Sequence, residues 1–234
     1  FSNFHLFLNS HFENFPLIVV KLTRQGLEKM RNDSSVKAVF LDKNLSISLQ
    51  ESISLIRADQ VHNLSYNNES IQGQGQSVCL LDTGVDSNHS GFEGRIIDGK
   101  SFVDNSTSDD NGHGTHVAGI IAANIGVSPR SNIVSVKVCD ANGNCPSSAI
   151  LAGIDYCLNN SVAQNISVIS GSFSDNGEYN STNCPTYFEP ALSAVNENNI
   201  SNVFAAGNNY FANGVSYPAC SPFSISVGAS TKQD

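Results

Sequence analysis

Between residues 77 and 228 short apolar runs alternate with helical stretches, and this alternation leaves the chain few architectures. The runs 77–81, 133–138, 166–170, 203–206 and 224–228 read as strands. Between them lie a helix opening at His113, a helix over 148–158 with Ile150, Leu151, Ile154 and Tyr156 at helical spacing, and a helix over 188–198. Buried strands that alternate with helices imply an α/β fold: a parallel sheet covered on both faces, in three layers.

In such sheets sites form beyond the carboxyl ends of the strands. Asp82 and Asn208 each follow a strand, Ser172-Phe173-Ser174 follows another, and His113 opens a helix at the same rim. The stretch Asn111-Gly112-His113-Gly114-Thr115-His116-Val117-Ala118-Gly119 is a loop that becomes an apolar, small-residue helix. A histidine at that helix start, beside the dipole and out of water, is held neutral and able to accept a proton. Asp82, after three apolar residues, suits an orienting partner for that base. Asn208, after Ala205-Ala206-Gly207, can donate its amide to a developing oxyanion. Each has a plainer alternative: a turn aspartate, a loop histidine, an Asn-Asn turn. Asp86 and His89 read as loop-building residues, and His116 as a packed, hydrogen-bonded histidine. Asp82-Thr83-Gly84 also resembles an aspartic-protease signature, but that chemistry needs a second such aspartate and an all-β pattern. Gly73-Gln74-Gly75-Gln76 precedes a strand instead of following one, which argues against a nucleotide site.

Composition narrows the partners. A net charge of −9 over 234 residues argues against nucleic acid or an acidic membrane surface. No apolar run reaches the length of a membrane span. Six cysteines hint at an oxidising compartment and so at a secreted protein. Asn68, Asn105 and Asn180 open N-x-S/T sequons, whereas Asn165 starts an apolar strand and is expected to be buried.

Before residue 77 the pattern is weaker. Residues 1–16 show no firm period and fit a strand or helix whose partner lies outside the chain. A strand over 17–22, a helix from Thr23 through Leu27 and Met30, and a strand over 36–41 make a small βαβ unit, too short for a core of its own. Residues 43–76 are polar and irregular, with a short amphipathic piece near Ile53. Phe1-Ser2-Asn3-Phe4 has neither an initiator Met nor a basic n-region, so it is no signal peptide, and the true start is expected upstream.

With these residues in hand, the chain resembles the subtilisin-like serine peptidases, nearest to the proteinase K-like branch. The resemblance rests on Leu80-Leu81-Asp82-Thr83-Gly84-Val85-Asp86, on His113-Gly114-Thr115-His116-Val117-Ala118-Gly119 and on Ala205-Ala206-Gly207-Asn208, in that order, and on a tail from Tyr217-Pro218-Ala219 to Ala229. It implies a subtilisin-like fold over 51–234, C-terminally incomplete, preceded by a partial inhibitory prodomain of βαβ form over 1–50. It implies a serine endopeptidase precursor acting on polypeptides as a monomer, with Asp82 orienting, His113 as general base and Asn208 as oxyanion donor. It further implies that Ser172, Phe173 and Ser174 form one substrate-binding edge and Asn142, Gly143 and Asn144 the opposite one. No cofactor or metal is required for the chemistry; calcium enters as a structural ion with unassigned ligands. The prodomain is expected to act as folding template and inhibitor.

The departures carry expectations too. The family's nucleophile sits in a Gly-Thr-Ser-Met-Ala motif, and no Gly-Thr-Ser occurs in residues 1–234. The resemblance therefore implies a fragment whose serine lies outside this chain and which is itself inactive, the alternative being a non-catalytic peptide-binding pseudoprotease. Ser174-Asp175 stands where the family often has two glycines, which alters the first specificity pocket. Cys139 and Cys145 flank a tight turn and can bridge across it; Cys184 and Cys220 lie in loops that can meet. Cys79 and Cys157 read as buried small hydrophobes.

Overall fold

A computed structural model describes residues 6–11, 18–37, 39 and 53–231. The chain divides into two compact units, Phe1–Ile47 and Ser48–Asp234.

In the first unit β1 (Leu6–His11) pairs antiparallel with β2 (Ile18–Leu22). The helix Arg24–Arg31 follows, its N-terminus capped by Thr23, which accepts a hydrogen bond from the Gly26 N–H at 3.1 Å. Lys29 and Arg31 in its last turn complement the helix dipole. Among the described residues the order is therefore ββα, where βαβ was expected. Residues 1–16 contain a strand, and its partner lies within the chain. The strand read over 36–41 is absent at Val36, Lys37 and Val39; Ala38, Phe40 and Leu41 lie outside the described residues.

Among its described residues the second unit has helical turns at 53–55, the helix Ala58–His62 and a hairpin of β3 (Ser65–Tyr66) and β4 (Glu69–Ser70). Asn67 and Asn68 both take positive φ, as a two-residue hairpin loop requires. The main sheet comprises β5 (Ser77–Asp82), β6 (Ile96–Ser101), β7 (Asn132–Lys137), β8 (Ile166–Gly171), β9 (Ser201–Ala205) and β10 (Ile225–Val227). Its order is β10-β9-β8-β5-β7-β6, with every pairing parallel.

Side-chain alternation sorts the core into two faces. On one, Cys79, Leu81, Val134 and Val136 pack with Ile150, Ile154 and Cys157 of the helix Ser147–Asn159 and with Leu192 and Val195 of the helix Glu189–Glu197. On the other, Leu80 and Ile133 pack with Ala118 and Ala122 of the helix His113–Ala122. The three-layer α/β arrangement expected from the alternation is present.

The sequence reading missed the edge strand β6. Of its residues only Ile96 and Ile97 are large apolar groups, and its polar composition suits an edge that meets β7 alone. Asn165 is exposed, not buried: it takes a left-handed φ of 50° just before β8 and turns the chain outside the sheet. Three disulfides are formed, Cys79–Cys157, Cys139–Cys145 and Cys184–Cys220. The second and third match the expected pairs; Cys79 and Cys157, read as buried small hydrophobes, are buried as expected but are also bonded to each other. Cys79 is in the middle of β5 and Cys157 in the helix that covers it, so layer packing, not sequence spacing, brings them together. No helix among the described residues is long and apolar enough to cross a membrane.

Candidate active site

At the carboxyl rim of the sheet, β5 ends on Asp82, whose side chain is 3% exposed. His113 is the first residue of its helix, and its Nδ1 lies 2.7 Å from Asp82 Oδ1. The same oxygen accepts the Thr83 N–H at 2.7 Å. An ionised carboxylate only accepts, so Nδ1 carries the ring proton and Nε2 keeps a free lone pair. Asp82 Oδ2 is buried and has no hydrogen-bond partner among the described residues. The His113 side chain is 49% exposed. The burial expected around it is therefore not there, and its orientation comes from Asp82.

Two backbone features make the approach possible. Gly114 lies so close to the end of β5 and the turn after it that a Cβ on it would meet the Gly84 carbonyl oxygen at 2.1 Å and Asp82 Cβ at 3.2 Å. The helix N-cap is Gly112, at φ 101°, which has no side chain to accept from the first turn. Residues outside the helix do so instead. Thr83 Oγ1 accepts the Gly114 N–H at 3.0 Å, and Asp109 Oδ2 accepts the Thr115 N–H at 2.9 Å and the Thr115 hydroxyl at 2.6 Å. Burial acts to raise the Asp109 pKa, but hydrogen bonds from Thr115, Gly112 and Thr83 outweigh it and hold it down at about 2.

A cleft of about 450 Å³ opens at this rim. Asp82, His113, Asn208, Ser172, Phe173, Ser174 and Gly143 all line it. Asn208 follows β9 through Gly207 at φ 104°, where a Cβ would meet Ser216 Oγ at 2.6 Å. The adjoining Ala206 is held by its N–H to Val227 O and by its carbonyl to the Ser216 N–H. The Phe173 ring stacks obliquely on Phe204 at 5.7 Å. On the opposite side only Gly143 of the expected trio reaches the cleft, with Cys145 and Ser147 beside it. Asn142 and Asn144 do not line it. Asn144 turns its amide to the Asp140 carboxylate, which also accepts the Asn142 and Asn144 N–H groups.

Asp175 also lines the cleft, but its carboxylate already accepts from the Tyr217 and Gly177 N–H groups and from the Tyr179 hydroxyl. Tyr217 is buried and accepts the Phe188 N–H through its hydroxyl at 2.6 Å; burial pushes its pKa up.

Asp86 and His89 build the loop as expected: Asp86 Oδ1 accepts the Asn88 N–H and His89 Nδ1 the Gly91 N–H. His116 is exposed, contrary to the packed histidine expected, because it falls on the outer side of the helix whose Ala118 and Ala122 face the sheet. The sequence reading passed over Thr83 and Asp109. One signal pointed to them: a helix that starts on Gly112 leaves its first N–H groups without a local acceptor, so one must come from elsewhere.

The model of the subtilase family matches residues 73–234. A thermostable alkaline protease of Halalkalibacterium halodurans is 36% identical over 220 residues, covering 89% of this chain and 55% of that protein. Subtilisin-like protease 7 of Arthroderma otae is 35% identical over 171 residues, covering 73% of this chain and 42% of that protein. The crystal structure of a cold-adapted subtilisin-like serine proteinase superposes with a TM-score of 0.60 at 31% identity, covering 76% of this chain and 64% of that one. The chain spans about half the length of the curated relatives it matches.

Proposed function

Since the chain belongs to the subtilase family of peptidases, we propose that it is part of a serine endopeptidase precursor that cleaves polypeptides with an Asp-His-Ser triad. The observation that carries this reading is the 2.7 Å contact from His113 Nδ1 to Asp82 Oδ1 at the rim of the cleft. Nε2 of His113 takes the proton of a serine hydroxyl as its oxygen attacks the substrate carbonyl. Asp82 keeps the tautomer and stabilises the imidazolium that results. Asn208 donates its side-chain N–H to the oxyanion, and His113 then returns the proton to the leaving amine. The nucleophile is a serine outside residues 1–234, and residues 1–234 alone are inactive.

The peptide lies extended between Ser172-Phe173-Ser174 and the side of the cleft around Gly143, bound through its backbone and selected by its side chains. Residues 1–50 belong to an inhibitory prodomain that also serves as a folding template. The enzyme is secreted and monomeric; its three disulfides fit an oxidising compartment. The proton transfers and attack use side chains alone, so no cofactor takes part, and calcium serves only as a structural ion.

Labelling with a serine-directed fluorophosphonate, followed by peptide mapping, tests this. The protein made from the complete reading frame is expected to be labelled at a serine beyond residue 234, and the chain 1–234 is expected to stay unlabelled. Labelling of a serine within 1–234 would overturn the placement of the nucleophile. A complete protein that neither labels nor cleaves peptides would favour a pseudoprotease.

A further inference from the structure

Asp82 and His113 come from segments 31 positions apart, and their 2.7 Å contact needs a device that fixes one segment on the other. Asp109 occupies that junction. Its Oδ1 accepts the Thr83 hydroxyl at 2.8 Å, the Gly112 N–H at 2.8 Å and the Asn111 N–H at 3.1 Å. Its Oδ2 accepts the Thr115 N–H and hydroxyl. One carboxylate therefore holds the residue after Asp82 and both sides of His113.

Thr83, itself 2% exposed, is the link. A hydroxyl has one proton, and Asp109 takes it, so a Thr83 lone pair faces the Gly114 N–H. The Thr83 N–H meanwhile donates to the Asp82 oxygen that receives His113 Nδ1. Asp82, Thr83, Gly114 and His113 thus close a ring of hydrogen bonds, and Asp109 fixes the rotor within it.

We propose that Asp109, acting through Thr83, is a positioning residue that sets the Asp82–His113 geometry. The inference rests on the proposed roles of Asp82 and His113, and its reach is catalytic as well as structural, because small misplacements of a base are costly. In the complete enzyme Asp109→Asn is expected to lower kcat by up to about 10²-fold with KM unchanged. Asn keeps one oxygen acceptor but turns donors toward the Thr115 N–H.

The test is proton NMR of the full chain in wild-type, Asp109→Asn, Thr83→Val, Thr83→Ser and Asp82→Asn forms, with thermal melting of each. The wild type is expected to show a downfield Nδ1 proton of His113 that Asp82→Asn removes. Thr83→Val, which removes the bridge at nearly constant shape, is expected to lose that signal into solvent exchange while still folded, and Asp109→Asn likewise. Thr83→Ser is expected to retain it. If wild type and Asp82→Asn give the same spectrum, the orienting role of Asp82 fails. If the signal depends on Asp82 but persists unshifted in folded Thr83→Val and Asp109→Asn, the positioning inference is overturned and the triad reading stands. Should Asp109→Asn not fold, the Thr83 pair decides.

Discussion

Lys137, fully buried at the end of β7, holds its Nζ 2.7 Å from Asp110 Oδ1, three residues before His113. The same ammonium lies 2.9 Å from Asp104 Oδ2 and donates to the Ser108 carbonyl at 3.2 Å. The loop that delivers His113 is therefore fastened to the sheet by one cation. Burial acts to lower the Lys137 pKa, but Asp110 and Asp104 outweigh it and raise it.

The two sides of this cluster are not equivalent. Asp104 and Asp110 keep 38% and 46% of their side chains in solvent, whereas Lys137 keeps none. Lys137→Met leaves carboxylates that water can reach, and is expected to cost about 1–3 kcal/mol. The double variant Asp104→Asn/Asp110→Asn strands a buried ammonium, and is expected to cost about 3–5 kcal/mol. Urea unfolding at neutral pH checks this order, and the reverse order would refute the account of the clamp. Because the folded Lys137 pKa is raised, its contribution is complete below the unfolded value and is lost as pH rises through the folded one.

Asp109 gives the opposite dependence. Its folded pKa of about 2 is below the ordinary 3.8, so between these values the unfolded chain binds more protons. Its contribution, roughly 2 kcal/mol, is present above pH 4 and is lost as pH falls toward 2. Asp109→Asn is expected to flatten that part of the stability profile. Melting from pH 6 to pH 2 measures it, and parallel curves for the two proteins would contradict it.

The disulfides differ in what they constrain. Cys79–Cys157 closes a loop of 78 residues and Cys139–Cys145 one of 6. Loop-closure entropy assigns about 4 kcal/mol to the first and about 2 kcal/mol to the second. Cys79→Ala/Cys157→Ala is therefore expected to melt well below Cys139→Ala/Cys145→Ala. Equal losses would show that the long loop is already restricted in the unfolded chain.

Gly114 is required by the closeness of the His113 helix to β5. In Gly114→Ala the new methyl would sit 2.1 Å from the Gly84 carbonyl oxygen, so the helix start must retreat. A loss of about 1–3 kcal/mol is expected, together with the His113–Asp82 contact. Folding at wild-type stability with the downfield His113 proton intact would contradict this.

Much of this was legible because parallel strands are buried on both faces. β5, β7, β8 and β9 declare themselves as apolar runs, and their carboxyl ends then locate Asp82, Ser172 and Asn208. β6 is polar because it lies at an edge, and β1 is interrupted by Asn9 and Ser10, where its register with β2 shifts. Cys79 and Cys157 looked apolar because each faces a dry layer. Thr83 and Asp109 carry no periodic signal at all. Their roles come from loop geometry, and the hint was a missing acceptor at Gly112. Asn142 and Asn144 were assigned to the cleft with the whole turn, whereas only Gly143 lines it and Asn144 gives its amide to the Asp140 carboxylate.

The most direct test of the central claim is peptide hydrolysis by the protein made from the complete reading frame, wild type against His113→Ala. The wild type is expected to cleave. The variant is expected to lose roughly a millionfold in kcat, the loss known for the equivalent change in subtilisin, a member of this family. A wild type that cleaves and a His113→Ala variant that retains a substantial share of its kcat would remove His113 from the chemistry and contradict the account.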